Sequence, residues 1–100
     1  MVWQEAFLSA ETDADRGDYN AAIQKLEGAL EKAKGLIGSG VDHLLPRTYG
    51  LLGAVNYKAG NGDQARDFFL KAKVYCERIG DREGAEIYAR NLSIIDAGRT

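Results

Sequence analysis

One hundred residues, 45% of them apolar and 28% charged, are enough for one modest core and too apolar for disorder over most of the chain. Thirteen Lys and Arg against fifteen Asp and Glu leave a formal charge of −2 with both signs interspersed, so the basic footprint of a nucleic-acid binder is missing. No apolar run approaches the ~18 to 20 residues that cross a bilayer, MVWQEAFLSAE carries no basic leader, and the single Cys76 cannot close an internal disulfide; the expectation is a cytoplasmic protein without a membrane partner.

In residues 2–15, Trp3, Ala6, Phe7, Ala10 and Ala14 recur at three- and four-residue steps, which is the apolar face of a first helix. Arg16-Gly17-Asp18 ends it, because glycine takes the left-handed conformation a helix end needs and Asp18 can cap the next helix. A second helix over 19–34 presents Ala22, Ile23, Leu26, Ala29, Leu30 and Ala33, and the short link makes the two helices antiparallel neighbours. Residues 35–40, GLIGSG, look flexible, with Leu36 and Ile37 expected to fold back onto the second helix. Asp42 is placed to cap a third helix over 42–59, with an exposed His43 and Pro46 in its first turn. After Gly60-Asn61-Gly62, Asp63 opens a fourth helix to 79 that is expected to bury Ala65, Phe68, Phe69, Ala72, Val74, Tyr75 and Cys76. Gly80-Asp81 repeats the break, and a fifth helix over 82–97 holds Ala85, Ile87, Tyr88, Ala89, Leu92, Ile94 and Ile95. No strand signal is present.

The other helices are organised around residues 49–72, YGLLGAVNYKAGNGDQARDFFLKA. Tyr49, two residues, Leu52-Gly53, then Ala65, three residues, Phe69, two residues, Ala72 puts small residues where two helices would cross. Ala22, Leu26 and Ala29 repeat the second half of this pattern 43 positions earlier, Gly17-Asp18 answers Gly60-Asn61, and Leu92-Ser93 echoes Leu52-Gly53. The pattern resembles the tetratricopeptide repeat, with Asn56 where that signature has Tyr, Tyr57 beside it, and Glu77 near the place of its closing Pro. The fold this implies is all-α: antiparallel helix-turn-helix repeats stacked as a short right-handed superhelix. Five helices would form a tetratricopeptide-like α-solenoid of about two and a half repeats, in one domain over 1–100 with helix pairs at about 2–34 and 42–79 and a closing helix at about 82–97.

Nothing in the sequence assembles a catalytic centre. His43 and Cys76 occur once each; Cys76 reads as a small core hydrophobe, and a zinc site would need more Cys or His ligands. Asp13-Ala14-Asp15-Arg16-Gly17-Asp18 has the look of a calcium loop. However, Gly17 stands where a third oxygen ligand is required and Ile23 where the closing Glu should be, so these carboxylates are helix-end charges. Gly35, Gly38 and Gly40 follow a helix, lack a Lys-Ser/Thr, and make no phosphate loop. A non-enzyme with no cofactor and no metal is expected.

The resemblance implies a protein-protein interaction scaffold, in which the first helix of each pair lines a concave groove that takes a peptide or helix of a partner protein. Carried onto this chain, the groove residues are Phe7, Leu8 and Glu11 with Gln4 on the first helix, and Arg47, Leu51, Tyr57 and Lys58 with Ala54 on the third. Arg90, Asn91 and Ile94 complete it on the fifth. Phe7, Leu8, Leu51 and Tyr57 would supply apolar area, while Arg47, Lys58 and Arg90 would receive acidic side chains or a C-terminal carboxylate. Phe7, Glu11 and Leu51 occupy the places of the Lys/Asn clamp of chaperone-binding members, so chaperone tails are not expected ligands. The alternative is a self-assembling structural module, a homodimer through exposed end helices. The short array and the apolar Ile87, Ile94 and Ile95 motivate it, and Ile94→Glu or Ile95→Glu would break it.

Overall fold

A computed structural model describes residues 3–34 and 44–98, apart from the side chains of Trp3, Gln4, Ala33 and Lys34. Among the described residues five helices form in chain order: α1 (Trp3–Asp15), α2 (Tyr19–Lys34), α3 (Leu44–Lys58), α4 (Gly62–Arg78) and α5 (Arg82–Ala97). There is no strand among the described residues. Asp63 does not open α4; the helix begins one residue earlier, at Gly62, behind Asn61. The expectations for Gly35, Gly38 and Gly40, for Leu36 and Ile37, for the Asp42 cap and for His43 lie outside the described residues, as do those for the side chains of Trp3, Gln4 and Ala33.

Three of the corners between helices are built alike. Gly17, Gly60 and Gly80 have φ of 82°, 86° and 77°, a left-handed conformation that costs other residues roughly 1–2 kcal/mol. The N–H groups of the next residues, Asp18, Asn61 and Asp81, donate to the carbonyls of Asp13, Asn56 and Cys76, each at 2.8 Å. The glycine N–H groups donate to Ala14, Tyr57 and Glu77, which completes a Schellman motif at each helix end. The carbonyls of Asp18, Asn61 and Asp81 then accept the first bond of the next helix, from Ala22, Ala65 and Ala85. One Gly-Asx pair therefore stops one helix and starts the next. Asp81 Oδ1 also accepts from the Gly84 N–H at 3.0 Å. Asn61 instead turns its amide back, donating from Nδ2 to Asn56 Oδ1 at 3.2 Å, while buried Asn56 donates from Nδ2 to the Leu52 carbonyl at 2.8 Å. Those two bonds explain an amide at a position where the repeat pattern has an aromatic residue: Asn56 ties α3 to its own corner.

Packing follows chain order, α1 on α2, α2 on α3, α3 on α4 and α4 on α5. α3 is central, with ten of its 15 residues buried. Phe7, Ala10 and Ala14 of α1 meet Ala22, Leu26 and Leu30 of α2 and Leu45, Tyr49, Leu52 and Val55 of α3 in one cluster, to which Ala72 of α4 belongs. A second cluster, Ala65, Phe69 and Ile95, joins α4 to α5. Alanine at the crossings lets the helices approach closely, and aromatic rings fill the wider gaps. Tyr49 stacks with Phe68 and Tyr75 at centroid distances of 6.2 and 5.8 Å, and Phe69 with Tyr88 at 6.2 Å. Between α1 and α2, Lys25 Nζ donates to Ser9 Oγ at 2.6 Å and to Asp13 Oδ2 at 2.5 Å. Val74, expected in the core, is exposed, as is Ile87. Ile95, expected on an end surface, is core at 4% exposure, whereas its neighbour Ile94 is 53% exposed. Successive residues on a helix point about 100° apart, so only one of the pair can face Phe69.

Cys76 is buried where α4 meets α5. Burial first, then the charge of Asp81 and a hydrogen bond with it, push the thiol above its ordinary 9.0. Burial, and behind it Cys76, likewise raise the Tyr88 phenol above 10.0; Arg47 opposes this and Asp81 adds to it. Both groups ionise more readily in the unfolded chain. The stability they contribute is therefore fully present below about pH 9 and is lost as pH rises through the folded values. The urea midpoint should be flat from neutral pH to about 8.5 and fall beyond, less steeply in Cys76→Ala. A Cys76 thiol that titrates at or below 9 in the folded protein would contradict this assignment.

Candidate functional site

The helix faces turned away from the two clusters come together around α3. On α3, Leu51, Ala54 and Lys58 stand at i, i+3 and i+7, with Tyr57 beside them. On α1 the same spacing aligns Leu8, Glu11 and Asp15; on α5, Ile87, Asn91 and Ile94 stand at i, i+4 and i+7. Two clefts open between these rows. The α1–α3 cleft, about 250 Å³, is lined by Glu11, Ala14, Asp15, Leu51, Ala54, Val55 and Lys58. The α3–α5 cleft, about 190 Å³, is lined by Ala54, Tyr57, Lys58, Phe69, Asn91, Ile94 and Ile95. Ala54 and Lys58 belong to both and form the ridge between them. Each volume is below the ~300 Å³ at which cofactor and drug-sized sites begin, and each suits one or two protein side chains.

Seven of the twelve residues expected in a groove therefore line the clefts: Glu11, Leu51, Ala54 and Lys58 in the first, and Ala54, Tyr57, Lys58, Asn91 and Ile94 in the second. Leu8, 64% exposed, stands one turn before Glu11 and extends the α1 row without lining a cleft. Phe7 is corrected: it is 6% exposed and belongs to the core. Phe7, Ala10 and Ala14 share the face of α1 that meets α2 and α3, which leaves the groove side to Leu8. Arg47 lies over that ring, its guanidinium carbon 5.3 Å from the Phe7 centroid, and it lines neither cleft; nor does exposed Arg90. Of the three cations expected to receive acidic groups, only Lys58 stands at the clefts. Five lining residues lie outside the sequence reading of the groove. Ala14, Val55, Phe69 and Ile95 are core residues that also line a cleft. Asp15 is the fifth, although it follows Glu11 by one helical turn on the same row.

A third hollow, about 350 Å³, lies at the α4–α5 corner, between Glu77, Gly80, Asp81, Arg82, Ala85 and Glu86. Its largest apolar side chain is an alanine, so it offers no anchor. Among the described residues, no three His, Cys, Asp or Glu side chains gather as metal ligands, and no helix is long and apolar enough to cross a membrane. No protein-family model, curated protein or solved structure matches the chain.

Proposed function

We propose that the chain is a short solenoid of tetratricopeptide type and works as a cytoplasmic protein-protein interaction scaffold, binding a segment of a partner protein across α1, α3 and α5 without catalysing a reaction. The observation that carries this reading is the pair of clefts flanking α3, apolar at the floor and sharing Ala54 and Lys58, with Tyr57 and Ile94 exposed beside them. Packing that is strongest between helices consecutive in the chain and three near-identical Gly-Asx corners support the solenoid part of it. Exposed aromatic and aliphatic side chains in a row next to hydrogen-bonding groups form the surface that peptide recognition uses.

Ala54→Trp fills both clefts at once and tests the proposal. With helicity and melting temperature retained, the variant should lose at least ~tenfold in affinity for any partner, since truncating or blocking a central anchor typically costs ~2 kcal/mol or more. In the wild type, amide shifts on partner binding should centre on Leu51, Ala54, Tyr57, Lys58 and Asn91. Shifts confined to α2 and α4 would sink the groove reading. The self-assembling alternative keeps one support, the exposure of Ile87 and Ile94 on α5. A wild-type mass of two chains by light scattering, returned to one by Ile94→Glu, would favour it.

A further inference from the structure

Charge is distributed unequally between the two clefts. Of the surface carboxylates outside them, Asp13 has Lys25 at 2.5 Å, Asp96 has Arg66 at 3.0 Å and Glu77 has Lys73 at 3.2 Å, while Glu27, Glu83 and Glu86 have no ion pair among the described residues. Glu11 and Asp15 stand in the α1–α3 cleft with no ion pair among the described residues. Lys58, on the ridge, is one ammonium against these two carboxylates, so the cleft retains negative charge. The α3–α5 cleft has no carboxylate; Tyr57, Phe69, Ile94 and Ile95 make it an apolar slot with the Asn91 amide on its wall.

We propose, resting on the groove reading above, that the occupant is a segment of a partner protein with a Lys or Arg for the α1–α3 cleft and a bulky apolar residue for the α3–α5 cleft. This reverses the polarity expected from Arg47, Lys58 and Arg90, two of which line neither cleft. The cationic group pairs with Glu11 and Asp15. The apolar side chain packs between Tyr57 and Ile94. Ala54 is small enough for the ligand backbone to cross the ridge closely, where Lys58 Nζ and the Asn91 amide can donate to its carbonyls. The clefts lie on opposite flanks of α3, about one helix spacing or ~10 Å apart. The two ligand residues are then separated by about three residues of extended chain or about two turns of helix.

The test is selection of a displayed library of random dodecapeptides on the wild-type protein, followed by fluorescence anisotropy on one enriched peptide. Enriched sequences should pair Lys or Arg with Leu, Phe or Trp at one of those spacings. The peptide should bind ~tenfold more weakly to the Glu11→Gln, Asp15→Asn double variant, whose exposed positions leave the fold undisturbed, and its affinity for wild type should fall with added salt. Enriched peptides without a basic residue, or bound equally by the double variant, overturn the cationic assignment and leave the groove standing. Peptides that bind Ala54→Trp and Ile94→Glu as tightly as wild type, or no enrichment at all, overturn both. A wild-type dimer that Ala54→Trp converts to monomer assigns the groove to a second copy and overturns the cationic segment too.

Discussion

Gly53→Leu should destabilise the fold by more than ~3 kcal/mol, enough to leave much of the population unfolded at room temperature in a domain of ordinary stability. A Cβ at Gly53 would come within 2.8 Å of Phe69 Cδ1, 2.9 Å of Cε1 and 3.0 Å of Cγ. Those atoms belong to a buried ring that also packs against Tyr88 and Ile95, which limits its room to move. Leucine adds three further carbons to that contact, and α3 and α4 must separate to admit them. Gly28 supplies the control. It lies on the exposed face of α2, where an added Cβ meets nothing within 4 Å. Gly28→Ala should therefore stabilise the protein by about 0.5–1 kcal/mol, because alanine loses less backbone entropy in a helix. Gly53→Ala brings the same propensity gain together with the overlap and should be net destabilising. Thermal melts followed by circular dichroism decide the matter, and a Gly53→Leu midpoint within about 5 °C of wild type would show that the α3–α4 crossing lies elsewhere.

That crossing is legible in the sequence because it depends on residue size. Tyr49, Leu52-Gly53, Ala65, Phe69 and Ala72 alternate large and small at helical spacing, and only a small residue at 53 can admit the ring at 69. The corners are legible for a similar reason: a glycine at positive φ followed by Asp or Asn is a local requirement that no distant contact alters. What the sequence leaves open is the register of neighbouring apolar residues. Phe7 and Leu8 are both apolar, as are Ile94 and Ile95, and a rotation of ~100° exchanges which of them is buried. Contacts from other helices decide it, those of α2 and α3 for Phe7 and that of Phe69 for Ile95. Charge is harder still to read. The repeat resemblance implies a place for Arg47 in the groove, yet its guanidinium lies over the ring of Phe7. Asp15, at the end of α1, has the look of a helix-end charge, yet the row it shares with Glu11 carries it into the cleft.

Ile95→Glu should cost about 3–5 kcal/mol, while Ile94→Glu, one residue away, should change stability by no more than about 0.5 kcal/mol. Ile95 is buried with Ala65 and Phe69, with Leu92, Ala54 and Tyr88 packed around them, so a carboxylate there would sit among apolar side chains. Its ionised form would lose hydration. The protein would protonate it, admit water, or release α5. Releasing α5 also removes Tyr88 from Phe69, so the loss should be cooperative and should appear in hydrogen exchange of α4 as well as α5. Ile94, half exposed at the mouth of the α3–α5 cleft, can carry a charge into solvent, so its substitution should be silent in the melt and visible only in binding. The contrast separates two accounts of the same apolar helix. If α5 were an oligomerisation surface burying both isoleucines, either glutamate would split the assembly and both melts would become concentration-dependent. If α5 closes a monomeric groove, Ile95→Glu should unfold it at every concentration, and Ile94→Glu should leave a folded chain that no longer takes up an apolar side chain.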